Sequence, residues 1–130
     1  VANIETAPQR VIYRLKDPRG WREFLARIAD FSPVGTTHMM RNALCGRKPV
    51  FDLKDRIRAL AMPILVMVGD QDVPAFDACR FVAATAPHAG LAVLPMCGHT
   101  LNSEEPALFN AHVAQFLAAV ESGRWGSWST

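Results

Sequence analysis

Two short apolar runs joined by a helix-length stretch constrain the fold of this chain more than anything else in it. Ile64-Leu65-Val66-Met67-Val68 breaks at Gly69-Asp70-Gln71-Asp72, and Leu91-Ala92-Val93-Leu94-Pro95-Met96 breaks at Cys97-Gly98-His99. Between them, Val73-Pro74 leads into a predicted helix over residues 75–86, with Phe76, Cys79, Phe81 and Val82 apolar and Pro87 as its stop. Strands joined through a helix run parallel, with a right-handed crossover. A parallel sheet is normally covered on both faces and has several strands, because two strands alone leave edges that are hard to bury. The pattern therefore reads as the end of a larger α/β sheet. Residues 64–68 are expected to pair with residues 92–96 on one side and with a strand outside residues 1–130 on the other.

The flanking segments read as helical. Asp17-Pro18 opens a stretch over 21–29 in which Trp21, Phe24, Leu25 and Ile28 fall at helical spacing. Ser32-Pro33-Val34-Gly35 reads as a break, followed by a second helix over 37–44 that ends near Gly46. Asp52 and Asp55 are candidate caps for a third helix, whose Leu53, Ile57 and Leu60 share a face. After the second strand, Pro106 suits a helix's first turn, and the helix to about residue 120 carries Phe109, Val113, Phe116, Leu117 and Val120 as a buried stripe. The tail, 122–130, reads as flexible except where Trp125 and Trp128 dock.

Composition narrows the partners. The net charge of +2 is too small to argue for nucleic acid or a membrane surface. Residues 1–60 hold 12 Lys/Arg against 6 Asp/Glu, and the remainder 2 against 6, which reads as solvated helix faces, with an anionic partner as the alternative. Cys45, Cys79 and Cys97 form no CxxC pair and read as buried free thiols in a reducing cytoplasm. No apolar run approaches the ~18 residues that span a bilayer. Val1 stands where an initiator Met would, so the start of the gene product is expected to lie outside this sequence.

Ligands and catalytic groups of parallel sheets sit beyond the carboxyl ends of the strands. His99 and either Asp70 or Asp72 are placed there, and a carboxylate beside an imidazole fixes its tautomer and stabilises its charged form. One of the two aspartates is expected only to satisfy backbone N–H groups of the turn. His88 is expected to be exposed in a connecting turn, His112 to lie at the boundary of the last helix, and His38 to pack, with a pocket wall as its alternative. Cys97 and His99 lack a second ligand pair, so zinc is not implied. No phosphate-cradling loop or dinucleotide fingerprint is present.

The run Met62-Pro63-Ile64-Leu65-Val66-Met67-Val68-Gly69-Asp70-Gln71-Asp72, then Gly98-His99, then Glu105-Pro106 with Phe109, resembles the carboxyl-terminal part of a capped α/β-hydrolase. By that resemblance Asp72 is the acid and His99 the base of a nucleophile–His–Asp triad, and Val73 and Leu101 lie near the substrate pocket. It further implies a helical cap portion over 1–49, standing above the strand ends from about residue 21 to 44 with Met39 or Met40 facing an apolar pocket or packing between cap helices. The core portion would span 50–121 and the tail 122–130.

The Gly-x-Ser-x-Gly nucleophile elbow of such enzymes is absent, and Ser32, Ser103, Ser122, Ser127 and Ser129 lack its flanking glycines. The expected function is therefore part of a hydrolase of small esters, lactones or similar carbonyls, without a cofactor. This part supplies His and Asp to a nucleophile carried by an amino-terminal portion, in a second chain or in the same longer one. The isolated chain is expected to be inactive. The alternative is a non-catalytic interaction domain that closes its own sheet.

Overall fold

A computed structural model describes residues 2–126. Two strands, β1 (Ile64–Gly69) and β2 (Ala89–Leu94), pair in parallel with Ile64 opposite Ala89 and Gly69 opposite Leu94. The described residues also hold eight α-helices, α1 (Ala2–Glu5), α2 (Pro8–Lys16), α3 (Pro18–Ala29), α4 (Pro33–His38), α5 (Lys54–Arg58), α6 (Val73–Thr85), α7 (Leu101–Glu104) and α8 (Pro106–Glu121), with a π-helical stretch at Met39–Leu44 and a 3-10 helix at Val50–Leu53. The two strands are parallel and joined through α6, as the sequence required.

β2 begins and ends two residues earlier than expected. Proline has no N–H to give a ladder, so pairing stops at Leu94, and Met96 turns the chain away with φ at 54°. A left-handed residue with a side chain costs about 1 kcal/mol, spent here on the turn that leads into Cys97-Gly98-His99. Among the described residues, β1 has no neighbour on its other edge.

Two buried clusters hold the crossover. Ile57, Ala86 and Ala89 pack with Leu53, Ile64 and Phe81 beneath the start of the strands, so α5 buries the face its spacing predicted. Leu94, Cys97 and Leu101 pack with Met67 and Phe109 at the carboxyl end. α8 is less buried than its stripe suggested: Phe109, Val113, Phe116 and Val120 are half-buried, and Leu117 is exposed. Trp125 docks, donating its indole N–H to the His88 carbonyl at 2.8 Å and meeting Phe116 edge to face at 4.8 Å. Trp128 lies outside the described residues.

The first fifty residues form two different pieces. α2 and α3 make a hairpin whose Tyr13 and Trp21 are buried, with ring centroids 5.6 Å apart. Asp17 caps α3 by accepting the Gly20 N–H at 2.9 Å. α4 starts earlier than expected, because Ser32 serves as its N-cap, accepting from the Gly35 N–H, and Pro33 takes the first turn. The helix then widens into a π-helical stretch, Met39–Leu44, where the Cys45 N–H reaches back to the Met40 carbonyl. From residue 31 to residue 49 every side chain except that of Thr36 is exposed. Cys45 is consequently exposed, not buried as expected, and Cys79 is half-buried. His38 is exposed as well, so it packs into no core, whereas His88 and His112 are half-buried.

Candidate active site

The turns after β1 and β2 are laced together. The Asp70 N–H donates to the Leu94 carbonyl and the Gln71 N–H to the Cys97 carbonyl, at 3.1 and 2.9 Å. Gly69 permits this approach, since a Cβ there would overlap the Cys97 carbonyl. Asp70 returns the link through its side chain, accepting the Cys97 N–H at 3.2 Å. Backbone hydrogen bonds, from Met96 first, hold the Asp70 carboxyl below its ordinary pKa. Asp70 is thus the aspartate that satisfies the turn.

Asp72 does something else. It occupies the N-cap position of α6 but makes no side-chain cap. Its Oδ2 instead accepts from His99 Nδ1 at 2.7 Å. An ionised carboxylate can only accept, so Nδ1 is the donor in this contact, and in the neutral ring Nε2 is left with its lone pair. The Asp72 side chain is 7% exposed and that of His99 47%, so a buried acid backs a ring open to a reactant. The start of α6 adds the positive end of a helix dipole beside the carboxylate.

The His99 loop is fixed from two further directions. Glu104, buried on α7, accepts from the Gly98 N–H at 2.6 Å, the Thr100 N–H at 2.9 Å and the Thr100 hydroxyl at 2.8 Å. From the other side, the His99 N–H donates to the Gln9 carbonyl on α2 at 2.9 Å. Gly98 is required for that contact, because a Cβ would strike the Gln9 oxygen. Neither Glu104 nor α2 was identified from sequence. A capping box sets its acid three residues after the threonine, and Glu104 stands four after Thr100, so that signal did not mark it.

The surroundings are mostly apolar or paired. Lys16 pairs with Glu105 and lies 3.9 Å from the Cys97 sulfur. Burial pushes the Cys97 thiol up despite Lys16. Burial likewise raises Tyr13. Val73, next to Asp72, is 75% exposed. Leu101 lies in the core against Leu94 and Cys97. Met39 and Met40 are about half exposed. No group of three or more His, Cys, Asp or Glu among the described residues is placed to hold a metal ion. No helix among them is long and apolar enough to cross a membrane.

No family profile matches the chain. Over 87 residues, 67% of its length, it is 25% identical to the putative 2-succinyl-6-hydroxy-2,4-cyclohexadiene-1-carboxylate synthase of Bacillus subtilis (strain 168), and the match covers 31% of that protein. The solved structure of MenH from S. aureus superposes with a TM-score of 0.80 at 19% identity, over 88% of this chain and 42% of MenH. The chain therefore spans less than half the length of either. It carries part of an α/β-hydrolase fold, as its strand-end motifs implied.

Proposed function

We propose that Asp72 and His99 are the acid and base of a nucleophile–His–Asp triad in a hydrolase-fold enzyme acting on a small ester, lactone or similar carbonyl. One observation carries the reading: His99 is held through Nδ1 by a buried carboxylate, while the rest of its ring is open. Nε2 takes the proton from a hydroxyl nucleophile as that oxygen attacks the carbonyl carbon, then returns it to the leaving group. Asp72 holds the tautomer and stabilises the imidazolium. Val73 borders the substrate, and Leu101 supports that wall from the core. Residues 1–49 contribute to a cap.

The nucleophile and oxyanion hole belong to a portion outside residues 1–130, which pairs with the free edge of β1. A second reading is favoured by the Bacillus subtilis relative, whose name is that of a synthase. On that reading His99 of this chain is the base in the formation of a cyclohexadiene carboxylate.

Co-expression with a complementary hydrolase portion that bears a nucleophile elbow tests both. The isolated chain should not turn over a chromogenic short-chain ester, and the co-expressed pair should. Activity in the isolated chain, lost on changing one of its own serines, would overturn the triad-sharing reading. An assembled pair inactive on esters but dependent on His99 for the synthase reaction would favour the second.

A further inference from the structure

Four consecutive backbone N–H groups run through the His99 loop, and each is met from another element. Asp70, after β1, accepts that of Cys97 at 3.2 Å, and the Gln9 carbonyl on α2 accepts that of His99 at 2.9 Å. The other two, on the residues before and after His99, go to a single side chain. Glu104 Oε2 takes the Gly98 N–H at 2.6 Å, while Oε1 takes the Thr100 N–H at 2.9 Å and the Thr100 hydroxyl at 2.8 Å. Glu104 is 7% exposed. Burying a carboxylate is costly, and these three donors are all neutral. An amide would cost less to bury, but it accepts at one atom and donates at the other. The two N–H groups that bracket His99 require an acceptor at both.

We propose that Glu104 is a positioning residue for His99, acting on the backbone of its loop as Asp72 acts on its ring. The inference rests on the triad reading above. The peptides on either side of the His99 Cα are pinned, one through the His99 N–H on Gln9 and one through the Thr100 N–H on Glu104. That fixes the φ and ψ of His99. Asp72 then fixes the ring through Nδ1, which leaves Nε2 a single direction. The frame matters because the His99 side chain is 47% exposed, so packing holds less than half of it. Hydrogen bonds to an ionised acceptor are roughly twice as strong as neutral ones, which suits a clamp on a short loop. Glu104 touches only the backbone and the Thr100 hydroxyl, so it acts through His99 and not on a reactant.

The test compares Glu104→Gln with Glu105→Gln in the assembled enzyme. Both make the same change of charge on neighbouring residues, but Glu105 pairs with Lys16 and leaves the His99 loop alone. Three readouts are taken: kcat and KM separately, the downfield proton resonance of the His99 Nδ1–H bonded to Asp72, and amide exchange. Glu104→Gln should lower kcat about tenfold with KM unchanged, as expected for a base displaced by a fraction of an ångström. It should also broaden the resonance and speed exchange at Gly98 or Thr100. Glu105→Gln should move none of the three. A Glu104 variant that melts earlier but keeps its resonance and kcat overturns the proposal, since the contact then serves stability alone. An equal loss of kcat in Glu105→Gln overturns it too. Should Glu104→Gln fail to fold, exchange in the unaltered enzyme decides: Gly98 and Thr100 must be as protected as the β1–β2 ladder, and fast exchange at either overturns the clamp. If instead His99→Ala leaves turnover unchanged, the triad reading fails, whatever Glu104 does.

Discussion

The loops at the strand ends and the arm from residue 31 to 49 share one chain but obey opposite rules. At the strand ends Asp70, Asp72, Gly98, His99 and Glu104 are fixed by hydrogen bonds of 2.6 to 3.2 Å, largely from groups near in sequence or on the paired strand. The arm makes its own helical hydrogen bonds and presents Phe31, Val34, Met39, Met40 and Leu44 outward. A polar site closes on itself, because every unmet donor or acceptor in it is costly. An apolar helix face has no such short-range rule and is satisfied only by whatever packs over it. The Asp72–His99 pair is thus held within this chain, whereas the apolar face of the arm is left uncovered by the described residues.

The largest test of that contrast is His99→Ala in the assembled enzyme, expected to cut kcat by several powers of ten when assayed on an activated ester. Asp72→Asn should cost on the order of 10^4, because the amide favours the wrong tautomer. Glu104→Ala leaves the Gly98 and Thr100 N–H groups unmet. It should destabilise the assembled protein by about 3 kcal/mol in urea unfolding and raise amide exchange at Gly98 and Thr100. Asp70→Asn should spare the chemistry and change only the acid side of stability. A depressed folded-state pKa contributes stability above the unfolded-state value, lost as pH falls through the folded one. Below about pH 4 the wild type should therefore lose stability more steeply than the Asn variant. Smallest of all, Met39→Ser and Met40→Ser should shift stability by less than about 0.5 kcal/mol. A rise in KM with kcat unchanged would place them in the pocket wall, and a large loss of stability would erase the distinction between the two regions.

Legibility from sequence follows the same division. The crossover, α6, α8 and the Asp72–His99 approach were readable because period, proline stops and strand ends are local signals. β2 slipped by two residues because its apolar composition continues past Pro95, while its hydrogen bonding cannot. Ser32 read as a break and proved to be a cap, since the same residue types serve both ends of a helix. Gln9 was invisible because nothing local says that α2 lies against the second strand's loop. Glu104 was overlooked beside Glu105-Pro106, which carried the more familiar pattern.

The contact of Gln9 with the His99 N–H sets a tolerance. α2 cannot slide without dragging the imidazole, since Gly98 leaves no slack between helix and loop. Misplacement of a reacting group by about 1 Å can cost a hundredfold in rate. Whatever seats α2, ligand or neighbouring segment, therefore also calibrates the aim of the His99 ring.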